Sequence, residues 1–203
     1  MNYFVTGIDT DSGKTLSSAI VCEALGADYW KPIQSGLPRD TETVQSLVSK
    51  TSITFHPERY LLQMPASPHA SAKAEGITIS LEEITLPVTN NSLIIEGAGG
   101  CLVPINDKHF VIDIAKQFNT TIILVADLYL GSINHTLLTA NLIKKYNLPV
   151  KGIIFNGPGN EESERIILLH TGFKKILHIQ PEKNINRDTV KYYAGELLKT
   201  WNN

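Results

Sequence analysis

Lys14 and Thr15 close the run Val5-Thr6-Gly7-Ile8-Asp9-Thr10-Asp11-Ser12-Gly13-Lys14-Thr15, and the pair is suited to phosphate chemistry. The run follows a short apolar segment, Tyr3-Phe4-Val5, that reads as a strand, and it leads into Leu16, Ile20, Val21 and Leu25, spaced like one face of a helix. A glycine-rich loop between a strand and a helix N-terminus turns several backbone N–H groups toward one point, where they bind an anion. Asp11, Ser12, Gly13 and Leu16 flank that point in sequence. Lys14 then reaches the β- and γ-phosphates of a nucleotide, and the Thr15 hydroxyl ligates Mg²⁺. The usual pattern has four residues between the glycines; here five separate Gly7 from Gly13.

Other chemically capable residues stand where short apolar runs end. Lys31-Pro32-Ile33-Gln34-Ser35-Gly36 follows one such run, and Glu96-Gly97-Ala98-Gly99-Gly100 follows another. A lone lysine is ordinarily a solvated surface residue, yet Lys31 sits at a strand end, where open α/β sheets bind their ligands. Glu96 in the same setting is suited to hold Mg²⁺, which takes one or two carboxylates together with substrate phosphates. Asp40 alone is ambiguous, since Arg39-Asp40-Thr41 also reads as a helix cap. Leu130-Gly131-Ser132-Ile133-Asn134-His135 opens a helix and offers either a second anion site or a simple cap at Ser132. Asn156-Gly157-Pro158-Gly159 places an amide near a purine edge, or serves only as a turn. His69, in Ser67-Pro68-His69, is read equally as a site residue or as a structural or solvated one.

The elements that must position these residues alternate. Strand candidates are 3–5, 29–30, 93–95, 122–125, 152–155 and 176–179; helix candidates are 14–25, 41–49, 110–118, 134–146, 162–170 and 188–200. Continuous apolar runs such as Ile122-Ile123-Leu124-Val125 fit strands covered by helices on both faces. In the fourth helix Ile133, Leu137, Leu138, Leu142 and Ile143 form the expected core-facing stripe. The alternation predicts an α/β, doubly wound, mainly parallel sheet in a single domain spanning residues 1–203. Residues 63–88, interrupted by Pro65, Pro68 and Pro87, are expected to make an excursion over the site.

Composition narrows the partners. The chain has 203 residues, 42% hydrophobic and 19% charged, with a formal net charge of −2. That charge gives no electrostatic case for nucleic acid or an anionic membrane, and no apolar run approaches the roughly 18 residues of a membrane span. The chain goes straight into the expected first strand, so no signal peptide is expected. Cys22 and Cys101 are too few for a disulfide framework and too isolated for a metal site; a reducing, cytoplasmic setting is expected.

Taken in order, Gly7–Thr15 with its five-residue spacing, Lys31-Pro32…Ser35-Gly36, Ser67-Pro68-His69, Glu96–Gly100 and Gly131–His135 resemble the dethiobiotin synthetases over residues 1–157. The tail departs from the family: where members carry Gly-x-Ile-Pro near the adenine, this chain has Leu177-His178-Ile179-Gln180-Pro181, and Asp11 stands where Glu is frequent. The resemblance implies a P-loop fold and an ATP-dependent ring closure of 7,8-diaminononanoate with CO₂. It further implies that Lys14, with Mg²⁺, holds the phosphates, and that Thr15, Asp40 and Glu96 hold the metal. Lys31 is implied over the carbamate and transferring phosphoryl group, with Thr10 and Ser35 orienting the carbamate. Asp11, Ser12, Gly13, Leu16, Gly97, Ala98 and Gly99 are implied around the nucleotide, and Asn156, Gly157, Gln180 and Pro181 near the base. Ser132, Ile133 and Asn134 are implied to receive the distant substrate carboxylate across a homodimer interface.

Rival readings are a related amide-forming synthetase, a switch or partitioning ATPase, and a paralogue without turnover. Cobyrinate amidotransferase synthetases carry an additional glutamine-using domain, for which 203 residues leave no space. Partitioning ATPases usually have an extra lysine early in the loop, where this chain has Thr6, Gly7 and Ile8. The presence of Lys14, Thr15, Lys31 and Glu96 speaks against a degenerate paralogue.

Overall fold

A computed structural model describes residues 1–202. Along the chain lie β1 (Asn2–Gly7), α1 (Lys14–Leu25), β2 (Asp28–Trp30), β3 (Ile33–Ser35), α2 (Asp40–Leu47), β4 (Phe55–His56), β5 (Tyr60–Leu62) and α3 (Pro68–Ala74). There follow β6 (Leu93–Gly100), α4 (Val111–Gln117), β7 (Thr121–Asp127), α5 (Ser132–Lys145), β8 (Val150–Asn156), α6 (Glu161–Thr171), β9 (Lys175–Ile179) and α7 (Arg187–Trp201). Seven strands form one sheet in the order β4-β2-β6-β1-β7-β8-β9, every neighbouring pair parallel. The doubly wound sheet expected from the sequence is therefore present.

Alternation within each strand explains the continuous apolar runs. Tyr3 and Val5 join Ile94, Ile123 and Val125 on one face, beneath α1, α2 and α7. Phe4 joins Ile95, Leu124 and Phe155 on the other, beneath α4, α5 and α6. Each fully buried side chain of this size contributes about 1.5–3 kcal/mol, so neither face tolerates a polar replacement. Trp201 closes the first layer edge-on against Tyr3, with ring centroids 5.2 Å apart.

Several local expectations are corrected. Of the stripe expected on α5, Ile143 is buried and Ile133 and Leu142 pack against the core, whereas Leu138 is 60% exposed and Ser132, Thr136 and Ala140 are the other buried residues. Buried Thr136 satisfies its hydroxyl on the Ser132 carbonyl at 2.7 Å. The segment from Glu96 to Gly100 is strand rather than loop, extending β6 past the expected end at Ile95 with a register irregularity against β1. A Cβ at Gly97 would press on Phe4 and Val111 at 3.0 and 3.1 Å, so a larger residue there would need these side chains to give way. The strands β3, β4 and β5 are two or three residues long, too short to show a period in sequence. Residues 63–88 include α3 and also fill the core, since Ile79 and Ile84 are buried in the second layer.

Candidate active site

β1 delivers the phosphate loop to the carboxyl end of the sheet between β6 and β7. Gly13 precedes α1 with φ 96°, and a Cβ there would collide with the Asn156 amide, so glycine is required on both counts. The loop is internally braced: the Ser12 hydroxyl donates to the Asp9 carbonyl at 3.0 Å, and the Thr10 N–H donates to the Asp9 carboxylate at 2.7 Å. Lys14 is buried, its ammonium donating to the Asp9 and Thr10 carbonyls at 2.8 and 2.7 Å. Burial, and then the neighbouring charge of Lys31, lower its pKa to about 8.

The second half of the site follows from strand register. β2 pairs with β6 so that Trp30 lies beside Ile95, which carries Lys31 alongside Glu96. Both side chains are buried, Lys31 at 4% and Glu96 at 1% exposure, so the solvated reading of Lys31 fails. An ammonium has three donors; Lys31 directs them at Asp40 Oδ2 (2.5 Å), Glu96 Oε1 (3.0 Å) and the Gly97 carbonyl (3.3 Å). Burial opposes the charge on Lys31, but Glu96 and Asp40 outweigh it and hold its pKa above the ordinary value. Burial likewise opposes ionisation of Glu96, and the charge of Lys31 with the hydrogen bonds to the carboxylate outweighs it, leaving its pKa lowered. The Thr15 hydroxyl donates to Glu96 Oε1 at 2.9 Å, and the Tyr29 hydroxyl donates to Oε2 at 3.0 Å.

Asp40 is not a helix cap. It is the first residue of α2, Arg39 occupies the cap position without a side-chain cap bond, and Gln34 Oε1 accepts from the Asp40 N–H at 3.1 Å. The Asp40 carboxylate is thereby left for Lys31. Two carboxylates and a hydroxyl are hard oxygen donors of the kind Mg²⁺ prefers, and they already surround a cationic group. Among the described residues no cluster of three or more His, Cys, Asp or Glu is arranged for a metal. A divalent ion here would therefore need phosphate oxygens and water to complete its shell.

These groups share one cleft of about 500 Å³, lined by Thr10, Asp11, Lys14, Thr15, Lys31, Ser35, Asp40, Glu96, Ala98 and Gly99, and roofed by residues 65–68. Ser12, Gly13, Leu16 and Gly97 do not line it. His69 lies outside the cleft, in a separate depression with Lys73 and Asp107.

The remaining expected residues lie apart. Asn156 ends β8 rather than forming a turn, and its amide nitrogen donates to the Ser12 carbonyl at 3.1 Å, tying β8 to the phosphate loop. Gly157 follows, its N–H bonded to the Ile179 carbonyl at 2.9 Å, while Gln180 and Pro181 are exposed just beyond β9. His178, missed by sequence reasoning, sets its Nε2 on the Gly157 carbonyl and its Nδ1 on Glu164, each at 2.9 Å. Ser132, Ile133 and Asn134 do not line the cleft of this chain. Ser132 is not the cap of α5: Gly131 takes that position with φ 107°, and Ser132 is buried against the sheet.

Comparison with known proteins agrees with this arrangement. A family model described as an AAA domain matches residues 1–189. The ATP-dependent dethiobiotin synthetase BioD of Cytophaga hutchinsonii is 57% identical over 201 residues, 98% of each chain. That of Christiangramia forsetii is 42% identical over 200 residues, covering 98% of this chain and 96% of the relative. Among solved structures, the cell division ATPase MinD of Pyrococcus furiosus has a TM-score of 0.63 at 12% identity, covering 98% of this chain and 99% of its own. A ParA family ATPase from Chlorobium tepidum has a TM-score of 0.59 at 13% identity, covering 98% and 90%. Likeness at such identity concerns the fold alone. The strand-end cluster and the near full-length identity to curated relatives together make the chain a member of the ATP-dependent dethiobiotin synthetase family.

Proposed function

We propose that the protein closes the cyclic urea of dethiobiotin from 7,8-diaminononanoate, CO₂ and ATP, releasing ADP and phosphate. The observation that carries this reading is Lys31, buried between Asp40 and Glu96 and facing the cleft that also holds Lys14 and Thr15. A phosphoryl acceptor in that cleft meets cationic groups from two sides.

One amine of the substrate takes up CO₂ and loses a proton, giving a carbamate. Thr10 and Ser35 orient its oxygens, and Lys31 offsets their charge as one of them attacks the γ-phosphorus of ATP and ADP departs. Lys14 holds the β- and γ-phosphates through this displacement. The second amine then attacks the carbonyl carbon of the carbamic–phosphoric anhydride, expelling phosphate and closing the ring. The protein's part is positioning and electrostatic stabilisation of anionic oxygens, which dominates phosphoryl transfer. Mg²⁺, held through Thr15, Asp40 and Glu96, would neutralise phosphate charge when bound. Asp11, Ser12, Gly13, Leu16, Gly97, Ala98 and Gly99 shape the nucleotide cradle, with Asn156, Gly157, Gln180 and Pro181 toward the base.

A homodimer fits the surface beside the cleft. An apolar trough of about 660 Å³ runs from Gly100–Pro104 to Leu138 and Leu142, sharing Ser67 and Val103 with the cleft. Leu102 and Leu138 there are 54% and 60% exposed, a load that a second copy of the chain would cover. Ser132, Ile133 and Asn134 of that copy would take the substrate carboxylate at a helix N-terminus. No helix among the described residues is long and apolar enough to cross a membrane; a cytoplasmic location is part of the proposal.

The test is ADP release from ATP, Mg²⁺ and bicarbonate with and without 7,8-diaminononanoate, with products identified by mass. Diamine-dependent release accompanied by dethiobiotin is expected. Hydrolysis indifferent to the diamine would overturn the reading and favour a switch ATPase of the kind sharing this fold.

A further inference from the structure

Tyr29 touches the strand-end cluster yet has no part in the chemistry above. It lies in β2 two residues before Lys31, which follows the end of the strand, so continued alternation sets the two side chains on the same face. The register that sets Tyr29 beside Ile94 carries Lys31 beside Glu96, and Tyr29 therefore reaches Glu96 along the diagonal of the pair. Its ring is fully buried and lies against Phe55, with centroids 6.1 Å apart.

The two oxygens of Glu96 have different company. Oε1 takes Thr15 and Lys31 at 2.9 and 3.0 Å; Oε2 takes the Tyr29 hydroxyl at 3.0 Å. A carboxylate with one oxygen fixed from the interior cannot turn about its last bond without breaking that contact.

We propose that Tyr29 is a positioning residue whose hydroxyl holds Glu96 Oε2 so that Oε1 is presented to the divalent cation, thereby setting the metal affinity of the nucleotide site. This rests on the reading of Glu96 as a metal-holding residue. Hydrogen-bonding partners of ligating carboxylates commonly govern metal affinity by about 10- to 100-fold.

Tyr29→Phe keeps the ring and removes only the hydroxyl. Mn²⁺ serves as the probe, its free signal followed by electron paramagnetic resonance in the presence of ADP, without turnover. Tyr29→Phe should raise the Mn²⁺ dissociation constant by about 10-fold or more while metal-free ADP affinity stays within about twofold, which also certifies the fold. In a parallel assay, excess Mg²⁺ should restore the Tyr29→Phe rate to near the native one, a rescue that damaged packing would not allow. Unchanged Mn²⁺ affinity in Tyr29→Phe, with affinity lost in Glu96→Gln, would overturn the role of Tyr29 and leave Glu96 as a ligand. Unchanged affinity in Glu96→Gln would overturn the metal reading itself, and the inference with it.

Discussion

Two regions of the proposed nucleotide site, the phosphate end in the cleft and the strand ends proposed to meet the base, are built by different means. At the phosphate end, side chains from the end of β2, from β6, α1 and α2 satisfy one another: buried Lys31 on Asp40, buried Glu96 and the Gly97 carbonyl, and Thr15 on Glu96. At the proposed base end, beyond β8 and β9, the Gly157 N–H donates to the Ile179 carbonyl, the Gly157 carbonyl meets His178, and Gln180 and Pro181 are exposed. A buried ion cluster is costly to disturb, because removing one partner leaves another charge without compensation. Backbone contacts at a surface tolerate substitution.

Substitutions should reproduce that gradient, and the greatest effect is expected at Lys31. Lys31→Ala should slow diamine-dependent turnover at least about a hundredfold, as for loss of a transition-state donor, while ATP affinity measured by calorimetry stays near native. Near-normal turnover would break the assignment. Lys14→Ala should weaken both ATP affinity and turnover, and unchanged values for both would reject its phosphate role.

The lowered pKa of Lys14 adds a pH dependence to the same end of the cleft. Phosphate binds the ammonium, so ATP affinity should be full below pH about 8 and fall as pH rises through that value, by at most about tenfold per unit. A flat affinity from pH 7 to about 9.5 would contradict the perturbed lysine.

Asn156 joins the two ends, because its amide holds the phosphate loop at Ser12. Asn156→Ala should cost about 1 kcal/mol of ATP binding, roughly fivefold, with kcat little changed. Gln180→Ala, on an exposed side chain, should alter ATP affinity by no more than about twofold. If Gln180→Ala proved as damaging as Lys14→Ala, the contrast between the two ends would not hold.

The phosphate end was also the more legible in sequence, for a physical reason. Glycines and a lysine at fixed spacing between a strand and a helix answer to one backbone geometry, and charged residues ending apolar strands are conspicuous. Tyr29 was not, since a tyrosine in an apolar run reads as core until the strand register sets its hydroxyl on Glu96. His178 was missed because its partners, the Gly157 carbonyl and Glu164, lie 21 and 14 residues away and share no motif with it. The apolar stripe of α5 was legible at Ile133, Leu142 and Ile143, which meet the core, but not at Leu138, and the buried Ser132, Thr136 and Ala140 give no hydrophobic signal. The core role of Ile79 and Ile84 was hidden by the prolines around them.

The central claim is that the carbamate oxygen attacks ATP beside Lys31. The most direct measurement supplies CO₂ labelled with heavy oxygen, together with 7,8-diaminononanoate and unlabelled ATP, and follows the label into the released phosphate by mass spectrometry. One labelled oxygen should appear in phosphate for each ring closed, and none without the diamine. Dethiobiotin formed alongside unlabelled phosphate would contradict the account, because the oxygen joining carbon to phosphorus would then have come from elsewhere.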